Sequence, residues 1–127
     1  MSGLNLLGLR TVCYYVSDIE KAKIWYSDIL GQKPYFDEPF YVGFNVAGYE
    51  LGLQPEEKTP DKKSENVFAY WGIENMDEAY QKILSLGAKE FHPPMDVGSG
   101  IITAELKDPW DNVFGLIYNP HFILEKK

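Results

Sequence analysis

Apolar and polar positions along this chain alternate in two rhythms, and the order of the rhythms repeats once. Residues 10–16 and 67–73 read as strands, rich in β-branched and aromatic side chains. Each stretch ends at a polar residue suited to capping a helix. In the first this is Ser17 or Asp18, with Glu20 placed for a capping box with Ser17; in the second it is Asn75, with Glu78 three residues on. The spacing then turns helical, with Ile19, Ala22, Tyr26 and Ile29 answered by Met76, Ala79, Ile83 and Leu86. Stripes of this kind pack onto a sheet. Gly31 and Gly87 stand where a left-handed residue closes a helix. Three strand-like stretches follow each helix, near 33–37, 41–47 and 49–54, then near 88–92, 100–106 and 113–118.

The two halves are related in sequence as well as in rhythm. "VCYYVSDIEKA" (12–22) lies over "AYWGIENMDEA" (69–79) at a constant offset of 57 positions. Between the halves runs "QPEEKTPDKKSEN", a polar, charged, proline-containing linker. The expected organisation is a single domain over 1–127. Module one spans about 8–55, the linker about 55–66, module two about 67–120, and a tail 121–127. The fold class is α+β, two tandem βαβββ modules. One helix covers only one face of its sheet, so two modules are expected to curve their mixed sheets round a shared, cup-shaped interior with the helices outside.

Strand alternation separates the residues expected under the helices from those expected inside the cup. On the first strand Val12, Tyr14 and Val16 go to the helix, leaving Thr11, Cys13 and Tyr15 inside. The third and fourth strands send Tyr41, Gly43 and Asn45, then Glu50, Gly52 and Gln54, inward. In module two the inward residues are Phe68, Tyr70 and Gly72, then Ile101, Thr103 and Glu105, then Val113, Gly115 and Ile117. Thr11, Tyr15, Tyr41, Asn45, Glu50, Gln54, Phe68, Tyr70, Thr103 and Glu105 are therefore the candidate ligand-binding residues. Aromatic walls with a few placed polar groups are what ligand pockets look like, since unpaired buried polar groups are costly in a merely structural interior.

The order of these elements, with "SDIEKAKIWYSDILG" after the first strand and "DPWDN" before the last, resembles the vicinal oxygen chelate superfamily. That superfamily includes glyoxalase I, extradiol dioxygenases, fosfomycin-resistance enzymes and bleomycin-resistance proteins. The resemblance runs from about Leu9 to Pro120 and speaks for fold more than function. It implies metal ligands on the first and fourth strand of each module. Here the corresponding positions are Thr11, Phe68 and Gly115, with either Glu50 or Gly52 on the fourth strand. At best one of four ligands survives, and a lone carboxylate does not hold a zinc or iron ion. No metal and no cofactor are expected. In the closing turn Asp111 stands where the family usually keeps glycine.

Composition narrows the function further. Twelve basic against nineteen acidic residues give a formal charge of −7, which argues against a nucleic-acid partner and suits a cationic ligand. A single cysteine, Cys13, rules out an internal disulfide and is expected to be a buried, inert thiol. His92 and His121 are expected in solvated loop or terminal settings and "DVGSG" (96–100) as a flexible loop; for Glu105 the alternative to an inward-facing carboxylate is an exposed strand-end charge. No signal peptide or membrane span is expected, and the cytoplasm is the default location. The expected protein is a metal-independent small-molecule binder of the bleomycin-resistance-like type, acting as a homodimer with no membrane partner. No residue is assigned a catalytic role. The alternatives are a glyoxalase-line lyase or dioxygenase with relocated ligands such as Glu50, Glu105 or His92, and a scaffold protein whose cup is filled by its own side chains.

Overall fold

The computed structural model describes residues 3–57 and 62–122. The chain divides into two compact units, Met1–Glu57 and Lys58–Lys127. Each is a βαβββ module, as the repeated pattern predicts.

Unit one contains β1 (Thr11–Val16), α1 (Ile19–Leu30), β2 (Phe36–Glu38), β3 (Tyr41–Val46) and β4 (Tyr49–Pro55). The sheet order is β1-β4-β3-β2, with β1 parallel to β4 and the other pairs antiparallel. Asp18, not Ser17, caps α1 by accepting from the Lys21 amide, and Gly31 closes the helix at φ 65°. Tyr14, Val16, Val42, Phe44, Leu51 and Leu53 form a core with Ala22 and Tyr26 of α1. Tyr26 is fully buried and stacks on Tyr14 with ring centroids 5.9 Å apart. The β3–β4 hairpin turns through Ala47 and Gly48, both at positive φ, and Asn45 Oδ1 accepts from the Gly48 amide at 2.8 Å.

Unit two contains β5 (Tyr70–Gly72), α2 (Met76–Ser85), β6 (Lys89–Gly98), β7 (Ile101–Lys107) and β8 (Val113–Tyr118), in sheet order β5-β8-β7-β6. Asn75 caps α2 through the Glu78 amide. Ala104, Leu106, Phe114 and Leu116 pack with Met76, Tyr80 and Ile83 of α2. Two expectations are corrected here. β5 is shorter than the pattern 67–73, so Phe68 precedes the strand. "DVGSG" is not a loose loop either: β6 continues to Gly98, and a tight turn at Ser99 and Gly100, both at positive φ, leads into β7.

The turn before β8 is built on a buried carboxylate. Asp108 is fully buried, and its Oδ1 accepts from the amides of Trp110 and Asn112 at 2.9 and 2.8 Å, while Oδ2 accepts from Asn112 Nδ2 at 3.0 Å. Asp111 adopts φ 64°, the left-handed conformation that a glycine would take more easily. At the far end of β8, His121 Nε2 lies 2.8 Å from the Ser99 carbonyl, which ties the start of the tail to the β6–β7 turn. Phe122 is exposed; Ile123 and Leu124, the other apolar residues of the tail, lie outside the described residues.

Candidate functional site

In each unit the chemistry gathers on the sheet face turned away from the helix. In unit one the register sets Thr11 and Asn45 on either side of Glu50, and Cys13 and Gly43 on either side of Gly52. Tyr15 stands next to Gln54 in the following row. Six expected inward residues, Thr11, Tyr15, Tyr41, Asn45, Glu50 and Gln54, therefore share this face. Asn45 spends its side-chain oxygen on the hairpin turn.

Glu50 is the centre of the group. Tyr35 Oη donates to its Oε1 and Tyr41 Oη to its Oε2, so both carboxylate oxygens hold a phenol. Two glycines make room for this. Side chains at Gly43 would meet the Tyr41 and Tyr35 rings at 3.2 and 3.3 Å, and a Cβ at Gly52 would fall 2.1 Å from Tyr41 Oη. Tyr41 thus lies across a glycine floor to reach Glu50. Its hydroxyl is pushed well above the usual phenol range, first by desolvation and then by the carboxylate, whose negative charge disfavours a phenolate beside it. Tyr35 shifts in the same direction, chiefly through its bond to Glu50. Cys13 lies beside the Tyr41 hydroxyl but is exposed, which corrects the expectation of a buried thiol.

Unit two repeats the device with different residues. One row across its sheet reads Tyr70, Gly115, Glu105, His92. A Cβ at Gly115 would meet the Ala69 carbonyl at 2.5 Å and the Tyr70 ring at 2.8 Å. Tyr70 crosses above the glycine and donates to Glu105 Oε2 at 3.0 Å, while His92 Nδ1 lies 2.7 Å from Oε1. Phe68 packs edge-on against Tyr70, centroids 5.3 Å apart. Burial, the bond to Glu105 and the carboxylate charge raise the Tyr70 hydroxyl, and a hydrogen bond with Thr103 opposes them. Phe68, Tyr70, Thr103 and Glu105 are thus brought together as expected.

Two expectations about this row are corrected. Glu105 is not an exposed strand-end charge but is 6% exposed and held on both oxygens. His92 is solvent-exposed as expected, but it is in a strand and not in a loop. It lies on β6 opposite Glu105, and its ring packs on Phe91 with centroids 4.2 Å apart. Two prolines follow His92, but β6 is an edge strand, where proline is tolerated, and it absorbs them with register shifts on both sides of His92. The sequence signal that could have found the pair was its placement across the β6–β7 hairpin. Tyr35 was missed because the stretch 33–37 was not sorted into inward and outward residues; the strand itself begins one residue later, at Phe36.

These positions do not fit the metal site that the resemblance implies. Thr11 and Phe68 are poor ligands, the space beside Gly52 is filled by Tyr41 Oη, and that beside Gly115 by the Tyr70 ring. Among the described residues no group of three or more His, Cys, Asp and Glu side chains comes together in a way that could hold a metal ion. Also among them, no helix is long and apolar enough to cross a membrane.

The architecture defines an α+β chain of two βαβββ modules, each with its helix on one face and a tyrosine–carboxylate group on the other. The chain belongs to the Glyoxalase/Bleomycin resistance protein/Dioxygenase superfamily, whose family model matches residues 8–116. Solved structures share its fold. A glyoxalase/bleomycin resistance protein from Albidiferax ferrireducens T118 is 16% identical, over 88% of this chain and 98% of that one, with a TM-score of 0.73. A glyoxalase-related enzyme from Fulvimarina pelagi is 15% identical, over 91% and 90%, at 0.72. A superfamily member from Sphaerobacter thermophilus DSM 20745 is 23% identical, over 91% and 100%, at 0.70.

Proposed function

We propose that this protein binds a small aromatic or cationic compound without a metal, in the manner of the resistance-protein branch of its superfamily. One observation carries the reading. In both units the glycine standing at or near a family ligand position is overlain by a tyrosine whose hydroxyl donates to a carboxylate. Each carboxylate is therefore pre-oriented and framed by rings, a surface suited to holding a flat or positively charged molecule. The net charge of −7 favours a cation at longer range. We further propose a homodimer in the cytoplasm, with neither nucleic acid nor membrane as partner. The test is a titration of metal-stripped protein with a cationic aromatic glycopeptide of the bleomycin type. Saturable change in tyrosine and tryptophan fluorescence is the expected result, and an unchanged spectrum would remove the support for capture.

A second reading, an enzyme of the glyoxalase or dioxygenase line, is favoured by the His92–Glu105 contact, which joins an imidazole to a buried carboxylate. Elemental analysis of the purified protein separates the two. Nickel, zinc, iron or manganese at one ion per chain, surviving dialysis, would favour the enzyme.

A further inference from the structure

Unit one exposes aromatic surface that its folding does not explain. Phe40 is 65% and Phe36 39% exposed, although burying such rings is among the larger gains a chain of this size can make. Phe36 stands opposite Gly43 in the β2–β3 register, which puts its ring on the same face as Tyr41. The Phe36 and Tyr41 centroids are 6.1 Å apart with planes tilted by 59°, and Phe36 and Phe40 are 6.1 Å apart at 67°. Phe36 meets each of the other two rings at a steep angle, so the three form a corner and not a stack. Two carboxylates stand beside it: Glu50 behind the Tyr41 hydroxyl, and Glu38 opposite Tyr41 in the β2–β3 register.

The hydrogen bonding of Glu50 decides which cation suits this corner. Both of its oxygens already accept from Tyr35 and Tyr41. A primary ammonium needs acceptors for its three N–H groups, and the phenols already take one acceptor site on each Glu50 oxygen. A fully methylated ammonium has no N–H to satisfy. Its methyl groups cover exposed rings, and its diffuse charge meets their negative faces and the field of the carboxylates. We propose that the corner formed by Phe36, Phe40 and Tyr41 binds a quaternary ammonium group. The inference rests on the reading of this face as a ligand-binding surface and names the chemical class that the face selects.

The experiment compares choline with 3,3-dimethylbutan-1-ol, its uncharged carbon isostere, on the full chain. Binding is followed by the proton resonances of the Phe36 and Phe40 rings. Choline is expected to shift both in a saturable way, and the isostere to bind markedly more weakly. Phe40→Leu keeps the apolar surface and removes the π face, so it should weaken choline about three- to fivefold. Equal binding of the isostere, or an unchanged choline affinity in Phe40→Leu, would replace the ammonium site with a plain apolar patch. Phe40 resonances that show burial in a self-associated state, with no response to choline, would assign the corner to a second copy and overturn the proposal. The two readings also fail separately: if the glycopeptide binds and choline does not, ligand capture stands and the quaternary ammonium assignment falls.

Discussion

Tyr41 occupies the space that any side chain at position 52 would need, its Oη falling 2.1 Å from where a Cβ on Gly52 would lie. The obstacle is the far end of a side chain, which can swing away. Gly52→Ala should therefore fold, but with Tyr41 displaced and its hydrogen bond to Glu50 lost. A net loss of about 1 kcal/mol is expected from a bond of this kind at a part-exposed site. Chemical denaturation gives the stability, and the alkaline titration of Tyr41 gives the displacement: in the variant this phenol should return towards its ordinary range.

Gly115→Ala should be worse, though the chemical change is the same. There the added methyl meets the Ala69 carbonyl at 2.5 Å, and that carbonyl accepts the Gly115 amide at 3.1 Å. Backbone cannot swing aside without opening the β5–β8 pairing, the only pairing β5 makes among the described residues. A cost of about 1–3 kcal/mol, typical of overpacking, is expected. Faster amide exchange confined to 70–72 and 115–117 would locate the damage; a cost no greater than that of Gly52→Ala would contradict the argument.

Four of the nine tyrosines, Tyr35, Tyr41, Tyr70 and Tyr80, are held neutral above the ordinary phenol value of 10.0. Tyr80 owes this to burial and to its bond with Glu90. Between about pH 10 and the higher values of the folded state, the unfolded chain has lost these protons while the folded chain keeps them. Their contribution to stability is thus complete below pH 10 and falls as pH rises further. Absorbance titration of the folded protein should show a late group of phenolates appearing together with unfolding. At the acid end the sign reverses: Lys107 holds Glu65 below its usual 4.5, so that contribution is present above pH 4.5 and lost as pH falls.

The modules, their helices and the sorting of residues onto two faces were legible in the sequence because each follows from local periodicity. Tyr14, Phe44, Leu51 and Ala104 went under the helices as alternation requires. What alternation could not supply was reach. Tyr41 and Glu50 belong to neighbouring strands and meet only because two glycines let a ring lie flat between them. The burial of Glu105 depends on cover from Tyr70 and His92, whose positions no periodicity links. The same holds for Asp108, which a turn motif marks as a corner but not as a fully buried carboxylate.

The His92–Glu105 contact makes a prediction about a proton. An ionised Glu105 can only accept, so at 2.7 Å the shared hydrogen must sit on His92 Nδ1. Neutral His92 should then be the Nδ1–H tautomer, with the Nε2 lone pair presented on a side chain that is 61% exposed. Long-range nitrogen–proton correlation spectra distinguish this from the Nε2–H form directly. Glu105→Gln should relax the preference, because a carboxamide can donate as well as accept. Tyr70→Phe should leave the tautomer unchanged, since it removes only the bond to the other carboxylate oxygen. An Nε2–H signature in the unaltered protein would mean that Glu105 carries the proton, and the pair would then be a neutral structural contact with no base to offer.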